Sequence, residues 1–325
     1  MRRKTLFRRA LIALTATTVV TALLAPAASA AADCTWQLEH LPVQDGMSWS
    51  NLRITGVDGQ GNVSGFHIPS QKDHALARWT AAGVELVPRP DGITKFVTVA
   101  GNASGVVVAY ADRADGSPAV LTHAPGVGYR ELPAPAGYEV WIVDDINDRG
   151  DVLGRARRPG SFESSAVVWR ADGSAPEIVA PAQVRFLRAI ALGEDGAVLL
   201  NSSAGAWLWR AGALTKVPSP DSAADPRALA RDGVIFASSR GSWKWYEATG
   251  VVEAFSAPGV IESVNEDGLA VGHLDDGNRT PAVWQGTKFL STLPLDAASG
   301  RGDVVGEGGV IAGHAGTKVV RWLCR

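Results

Sequence analysis

The 325-residue chain has only two cysteines, Cys34 and Cys324, and it lacks the short motifs of several enzyme classes. Two cysteines cannot form a zinc site by themselves, and no C-x-x-C or H-E-x-x-H pattern is present. The chain also has no G-x-S-x-G nucleophile motif, and no phosphate-binding glycine loop follows a strand–helix pattern. We therefore expect no metal ion and no cofactor, and the catalytic residues, if the chain has any, are unknown.

Long apolar runs are also missing, except for one short run near the N-terminus. Residues 10–24 are apolar, and the small residues Ala28, Ser29 and Ala30 follow them. Five basic residues precede this run: Arg2, Arg3, Lys4, Arg8 and Arg9. This order is typical of a secretory signal peptide cleaved after Ala30, and the run is shorter than the roughly 20 residues of a membrane-spanning helix. We predict a signal peptide over 1–30, a single domain over 31–325 and an extracellular location. Ordinary export is favoured, and the twin-arginine route stays open.

Positive charge is scarce in the predicted mature chain. Loss of the five basic residues of the signal segment leaves 26 Lys and Arg against 33 Asp and Glu, a net charge of −7. An acidic surface argues against non-specific binding of nucleic acid. No later segment has the length and apolar character of a membrane span. We expect a monomer with no nucleic-acid partner and no membrane contact.

What the sequence has in abundance is internal repetition. The clearest copies, 57–65, 146–154 and 264–272, each combine an apolar residue, a polar turn, a glycine and an apolar stretch. Seven such turn glycines recur at spacings of 44, 45, 46, 37, 35 and 41 residues: Gly61, Gly105, Gly150, Gly196, Gly233, Gly268 and Gly309. This period is the one expected for the blades of a β-propeller.

Two further markers recur in phase with the glycines. A tryptophan follows most of them: Trp79, Trp169, Trp209, Trp245, Trp284 and Trp322. An apolar segment that often ends in proline comes next, as in 84–88 and 289–294. The pattern predicts four short strands per unit, joined by Gly-, Asp- and Asn-rich turns. Because such a unit cannot bury both faces of its sheet alone, radial stacking is favoured over an open β-solenoid, for which the unit is long. We predict an all-β, seven-bladed β-propeller with four-stranded blades.

The two ends of the chain predict how the ring closes. The last unit stops after its tryptophan strand, 318–322, so its fourth strand is missing. The segment 36–42 lies before the first unit and ends in Leu-Pro, like the fourth strands of other units. We expect this N-terminal strand to complete the last blade. Cys34 and Cys324 would then meet at the joint and form a disulfide in an oxidising compartment.

The units resemble the HAF repeats of probable extracellular bacterial proteins, in which an I-N-D-x-G-x-V-x-G segment precedes H-A-F and a tryptophan. Residues 146–154 fit the first part, and His74-Ala75-Leu76-Ala77-Arg78-Trp79 fits the second with leucine in place of phenylalanine. Most other copies lack the histidine. The resemblance covers nearly the whole mature chain and implies an extracellular propeller, but no activity.

The first strand of each unit should line the central channel. Counting back six or eight residues from the turn glycines reaches charged side chains of both signs, including Arg301 and Asp303. From this set we predict five ligand-binding residues at the channel mouth: Arg53, Asp144, Arg188, Arg227 and Glu262. The arginines would clamp a carboxylate or phosphate, and the acidic residues would accept hydroxyl hydrogen bonds. The alternative is an ordinary solvated channel.

Other groups each have a functional and an ordinary interpretation. The pairs Trp207/Trp209 and Trp243/Trp245 share a strand face, which suits either a sugar-binding platform or packing between blades. His273 and His314 occupy equivalent places in neighbouring units, where a metal site lacks further ligands. Turn chemistry explains two further features better than a specific function does. The Arg-Gly-Asp triplets at 149–151 and 301–303 would otherwise indicate integrin adhesion. The acidic cluster would otherwise indicate calcium binding, and its members are Asp144, Asp145, Asn147, Asp148 and Asp151.

We therefore expect a secreted, non-catalytic binding or scaffold module with a polar ligand site at the channel mouth. Its partner would be an extracellular glycan, small polar molecule or protein that the sequence does not identify. The alternative is a propeller enzyme, a lyase or hydrolase that acts on an extracellular glycan or small molecule. Convergent titratable residues with shifted pKa values in the channel would favour the enzyme.

Overall fold

The computed structural model describes residues 34–45, 47, 49–70, 73–179, 187–221, 224–238 and 240–325. In this part the chain forms seven four-stranded antiparallel sheets and one turn of 3₁₀-helix, Trp49–Asn51. The predicted fold, an all-β seven-bladed β-propeller with four-stranded blades, is confirmed. The predicted signal segment and its cleavage site lie outside the described residues, so the domain boundary after Ala30 stays a prediction.

One strand precedes the first blade, and six blades then follow, each with four consecutive strands. The isolated first strand is β1 (Trp36–His40). Blade 1 comprises β2 (Leu52–Val57), β3 (Val63–Ser70), β4 (Asp73–Thr80) and β5 (Gly83–Pro88). Blade 2 comprises β6 (Ile93–Gly101), β7 (Val107–Arg113), β8 (Pro118–Ala124) and β9 (Gly128–Glu131). Blade 3 comprises β10 (Glu139–Ile146), β11 (Val152–Arg157), β12 (Ser164–Trp169) and β13 (Glu177–Val179).

The second half of the ring repeats this order. Blade 4 comprises β14 (Arg188–Leu192), β15 (Val198–Ser202), β16 (Gly205–Arg210) and β17 (Ala213–Val217). Blade 5 comprises β18 (Asp225–Ala230), β19 (Gly233–Ser238), β20 (Gly241–Tyr246) and β21 (Val252–Ala254). Blade 6 comprises β22 (Gly259–Val264), β23 (Leu269–Leu274), β24 (Pro281–Gln285) and β25 (Lys288–Thr292). Blade 7 contains β26 (Gly300–Val305), β27 (Ile311–Ala315) and β28 (Lys318–Cys324).

The first strands of the blades form the inner wall of the ring. Each of them contacts the first strand of the next blade, and β26 contacts β2 to complete the circle. The turns between first and second strands therefore lie together on one face, which we call the turn face. Apolar side chains fill the gaps between blades; for example, Leu199 of blade 4 packs with Val234 and Phe236 of blade 5.

The N-terminal strand closes the ring, as predicted. Strand β1 pairs antiparallel with β28 as the fourth strand of blade 7, with Trp36 opposite Cys324. Cys34 and Cys324 form a disulfide that links the two ends of the chain. Glu39 of β1 also accepts hydrogen bonds from Arg321 at 2.9 and 3.0 Å. Backbone pairing, a covalent bond and an ion pair therefore hold the same joint.

The hydrogen bonds of one asparagine side chain explain why this residue recurs in the turn between the first and second strands. In blades 2, 3 and 6 it is Asn102, Asn147 and Asn265, all buried. Its side-chain oxygen accepts the N–H four residues later at 2.9–3.0 Å, which closes its own turn. Its side-chain nitrogen donates to a backbone carbonyl of the next blade at 3.0–3.2 Å. One amide thus satisfies its own turn and ties neighbouring blades together.

A hydrogen bond between neighbouring blades also joins the tryptophan and proline markers of the repeat. The indole nitrogens of Trp79, Trp169 and Trp322 donate to the carbonyls of Pro42, Pro133 and Pro294, respectively, at 2.7–2.8 Å. In each case the proline lies two residues after the end of the fourth strand of the preceding blade. The phase relation between the two markers in the sequence therefore reflects a hydrogen bond across the blade boundary.

The turn glycines are equivalent in most blades but not in blade 5. Gly150 has a φ of 84°, a left-handed conformation that glycine adopts without strain. Gly233 instead begins β19 and pairs with Ala230, so only Arg231 and Asp232 form the turn. The two shortest spacings between turn glycines, 37 and 35 residues, are the ones before and after Gly233 in this shorter hairpin.

Candidate functional site

A cavity of about 290 Å³ occupies the central channel, and all seven blades contribute to its wall. Five charged residues from the inner strands line it: Asp144, Asp145, Arg227, Glu262 and Asp303. Four more acidic residues line it at the turn face: Asp148, Glu194, Glu266 and Glu307. Among the described residues of this wall, Arg227 is the one basic residue. The cavity is therefore strongly acidic.

A bulge in each inner strand directs one residue into this cavity. The register of every first strand with the second skips the residue six positions before the turn glycine, and β6 and β10 each skip a second residue nearer their start. In blades 3, 5, 6 and 7 this residue is Asp144, Arg227, Glu262 and Asp303, and all four line the cavity. A bulged residue leaves the regular ladder, so its side chain is directed away from the paired faces. The channel wall is thus set by seven equivalent bulges.

Three of the five predicted ligand residues line the cavity, and the other two do not. Asp144, Arg227 and Glu262, six positions before their glycines, line the cavity. Arg53 and Arg188, eight positions before theirs, are exposed and do not line it. Arg53 donates to the carbonyl of Leu52 at 2.7 Å. The arrangement therefore does not gather the three arginines around the cavity, and the ligand role of the five residues stays a prediction.

Asp144 is neutralised by an arginine of its own blade. Its two carboxylate oxygens accept from Nε and Nη2 of Arg155, both at 3.0 Å. Burial nevertheless raises the pKa of Asp144, against the lowering effect of Arg155. Next to it, burial raises the pKa of Asp145 to about 7, although Asp145 accepts the N–H of Leu192 from blade 4 at 2.8 Å. One carboxyl of this pair therefore titrates near neutral pH.

Three of the four carboxylates at the turn face accept a backbone N–H of a neighbouring blade, and the fourth, Glu266, accepts from Arg231 of blade 5 at 3.1 Å. These roles were not predicted from the sequence. Asp148 accepts the N–H of Ala103 at 2.6 Å, and Glu194 accepts the N–H of Asp148 at 2.6 Å. Glu307 accepts the N–H of Glu266 at 3.0 Å. Each acidic residue lies two positions before its turn glycine. This shared offset was the signal in the sequence that could have identified them.

Glu307 and Glu194 have raised pKa values. Burial and the nearby carboxylates of Asp148 and Glu266 together raise the pKa of Glu307 to about 7. Burial likewise raises the pKa of Glu194, with the charges of Asp148 and Glu266 adding to the effect. The negative charges of one mouth thus act on one another across the channel.

The two histidines of blades 6 and 7 lie at the ends of one chain of charged groups. His273 is 3.8 Å from Glu262, and Arg301 is 3.2 Å from Glu262. Arg301 is also 2.6 Å from Asp303, which His314 contacts at 3.3 Å. Burial lowers the pKa of His273. No group of three or more His, Cys, Asp or Glu residues in the described ranges is arranged to hold a metal ion.

The triplet 149–151 does not present an accessible aspartate, because Asp151 is 6% exposed and binds Arg149 and Arg170. The second triplet, 301–303, lies within β26. The acidic residues at 144–151 point to separate partners, among them Arg155, Leu192 and Ala103. The adhesion and calcium interpretations therefore have no geometric support.

Three of the four tryptophans in the two aromatic pairs belong to the packing between strands and blades. Trp207 and Trp209 pack against the core cluster of blades 3 and 4, and Trp245 is buried in that of blades 4 and 5. Trp207 also donates to Ser202 Oγ at 3.2 Å. This arrangement fits the packing interpretation better than an exposed sugar platform.

No family model matches this chain. No curated protein is similar to it in sequence. Among the residues that the structure describes, no helix has the length and apolar character that crossing a membrane requires.

Many solved structures share the fold at low sequence identity. A streptogramin B lyase is 15% identical, with a TM-score of 0.51, over 91% of this chain and 100% of that one. An oligogalacturonate lyase in complex with manganese is 9% identical, with a TM-score of 0.58, over 90% and 96%. The WD40 propeller domain of Doa1 is 15% identical, with a TM-score of 0.55, over 89% and 97%. Enzymes and a non-enzymatic propeller domain both occur among these neighbours, so the similarity establishes the propeller fold and no specific function.

Proposed function

We propose that this protein is a secreted binding module whose ligand carries positive charge and enters the central channel. The observation that carries the proposal is the acidic cavity of about 290 Å³, to which all seven blades contribute. A cavity of this kind is the default ligand site of a propeller. The proposed ligand is a small cationic or amino-bearing molecule, such as an amino sugar or a polyamine.

The charges around the cavity determine the sign of this ligand. Asp144 and Asp303 already have arginine partners, Arg155 and Arg301, whereas Glu194 and Glu307 accept hydrogen bonds only from backbone N–H groups among the described residues. An ammonium group near Glu194 and Glu307 would offset the burial and the repulsion that raise their pKa values. An anion would add to that repulsion. The proposal therefore places an acidic site, rather than the arginine clamp expected from the sequence, at the channel.

Secretion is proposed on two grounds. The N-terminal segment has the pattern of a signal peptide, and a disulfide joins Cys34 and Cys324, as is usual in oxidising compartments. The resemblance to HAF-repeat proteins agrees with an extracellular location and stays a prediction.

The test is isothermal titration calorimetry on the chain without residues 1–30, with spermidine, glucosamine and glucose as probes. Glu307→Gln and Glu194→Gln keep an acceptor for the backbone N–H but remove a charge each. We expect a cationic probe to bind the unchanged chain and to bind each variant about 10-fold more weakly, the effect of losing one charged hydrogen bond. Glu163→Gln, at an exposed position outside the cavity, is the matched control. Equal binding of glucose, or unchanged affinity in both channel variants, would contradict the proposal.

A second candidate function, acid–base catalysis in the same channel, is favoured by Asp145 and Glu307. Both have pKa values of about 7, which suits proton transfer near neutral pH. Two of the similar structures are lyases, but the negative wall disfavours a polyanion such as oligogalacturonate. The test is incubation with amino sugars and their glycosides, followed by mass spectrometry. Turnover that Asp145→Asn abolishes would favour the enzyme, and absence of any product would favour the binding module.

A further inference from the structure

A second cavity lies on the turn face between blades 2 and 3, and its charge is opposite to that of the channel. Its volume is about 310 Å³. Arg130, Arg149 and Arg170 line it, and Asp148 is the one acidic residue among the described residues of its wall. Three arginines from two blades therefore line one cavity.

A buried aspartate outside the cavity wall holds two of these arginines in position. Oδ2 of Asp151 accepts from Arg149 at 3.0 Å and from Arg170 at 3.1 Å. Asp151 is buried and is not part of the cavity wall. Arg170 is further fixed by Glu177 at 2.8 Å. Arginines whose positions are set before binding lose less conformational entropy when they engage a ligand.

The third arginine marks a departure from the repeat. In blades 1, 5 and 7 the third and fourth strands place a basic residue opposite a glutamate: Arg78 with Glu85, Lys244 with Glu253, and Arg321 with Glu39. Blade 2 places Arg130 on the fourth strand, opposite Thr122. The guanidinium of Arg130 makes no ion pair or hydrogen bond with any residue that the structure describes. It therefore offers a full set of donors to the cavity.

The rest of the wall indicates the size and nature of the ligand. Val106, Leu132, Val152 and the indole of Trp169 form an apolar part of the wall, and the indole N–H is already used by Pro133. Such a surface suits a carbon skeleton, and the arginines suit a carboxylate, sulfate or phosphate group, which a guanidinium can bind in a bidentate manner. We propose that this cavity binds a small organic anion through Arg130 and Arg149, with Arg170 contributing positive charge.

The two cavities share Asp148, but the tests change residues that line only one of them. Arg130 and Arg149 do not line the channel cavity, and the channel carboxylates tested above, Glu194 and Glu307, do not line this one. Either site can therefore fail without affecting the test of the other.

The experiment is calorimetric titration of the chain without residues 1–30 with sodium glucuronate, sodium sulfate and sodium phosphate, in a buffer low in chloride. Glucose is the neutral control ligand. Arg130→Ala removes the unpartnered guanidinium, and because this group makes no described contact, the melting temperature should not change. Arg158→Ala is the matched control, since Arg158 is exposed and does not line this cavity.

We expect at least one anion to bind the unchanged chain at one site and to bind Arg130→Ala about 10-fold more weakly. Its affinity for Arg158→Ala should be unchanged, and added salt should weaken binding to the unchanged chain. Tighter binding of glucuronate than of the inorganic ions would show that the apolar wall contributes, and equal binding would show recognition of the charge alone. Four results would overturn the proposal: no anion binds, glucose binds equally, Arg130→Ala binds the anion as tightly as the unchanged chain, or Arg158→Ala weakens binding as much as Arg130→Ala.

Discussion

Trp169 and Trp284 provide a matched pair that tests whether the hydrogen bond between blades stabilises the ring. Both are buried tryptophans of third strands, 3% and 0% exposed. Trp169 donates to the carbonyl of Pro133 at 2.7 Å. The indole nitrogen of Trp284 is buried and has no hydrogen-bond partner in the described part of the chain. Replacement of each by phenylalanine removes the same ring atoms but only one hydrogen bond.

The difference between the two variants can be estimated from these contacts. Both lose a similar apolar area and leave a similar space, so these costs largely cancel in the comparison. Trp169→Phe also loses a hydrogen bond worth about 0.5–1.5 kcal/mol. Trp284→Phe removes a buried donor without a partner, which relieves a penalty of about 1–3 kcal/mol. We expect Trp169→Phe to be less stable than Trp284→Phe by about 2 kcal/mol or more.

Urea unfolding, followed by far-ultraviolet circular dichroism, measures the two free energies of unfolding. The slopes with urea must agree between the variants, so that the comparison reflects stability rather than a change in the unfolded state. Equal losses in the two variants would refute the reasoning, because the hydrogen bond to Pro133 would then contribute nothing measurable. A larger loss in Trp284→Phe would show that packing, not hydrogen bonding, determines the cost at this position.

Three further predictions concern export, closure and pH. Protein recovered from the culture medium should begin directly after Ala30 on N-terminal sequencing, and retention of the signal segment would contradict export by this route. Cys324→Ser should lower the free energy of unfolding by up to roughly 5 kcal/mol, because the bond spans 290 residues, and equal melting temperatures with and without reductant would contradict this. The pKa values of Glu307 and Asp145 are raised from 4.5 and 3.8 to about 7, so the folded state binds these protons more tightly than the unfolded state. The resulting stability should be fully present below the ordinary values and lost as pH rises through about 7, and Glu307→Gln should show a smaller loss in urea titrations across this range.

The fold could be predicted because the contacts that hold the ring use the same residue types in several blades. Asn147, Gly150 and Trp169 each form a contact that recurs elsewhere in the ring, so their spacing was visible as a repeat. The closure was predictable for a related reason, since the last unit lacked one strand and 36–42 supplied a segment of the right kind. Local contacts of fixed geometry leave a periodic trace in a sequence.

The site could be predicted only in part. In a regular strand, residues six and eight positions before the turn glycine share a face, so the sequence placed Arg53 and Arg188 beside Asp144. The bulge at Asp144 and its equivalents breaks that alternation, and a bulge has no signature in a single sequence. The turn-face carboxylates such as Glu307 were missed because their partners are backbone N–H groups of another blade, which no residue type reveals.

The bulges also explain how a repeated fold can carry one specific site. Positions that hold the ring are restricted, because the buried asparagine of the turn must satisfy its own turn and the neighbouring blade at once. The bulged position has no partner in the ladder, so packing does not restrict it in the same way. Its seven occupants differ accordingly: Thr55, Val99, Asp144, Ile190, Arg227, Glu262 and Asp303. Residues that are the same at equivalent positions of several blades hold the ring together. Residues that differ between blades at equivalent positions of the channel wall determine what the channel can bind. A change at Arg227, an exposed bulged residue, should therefore alter ligand preference with little effect on stability, whereas a change at Asn147 should do the reverse.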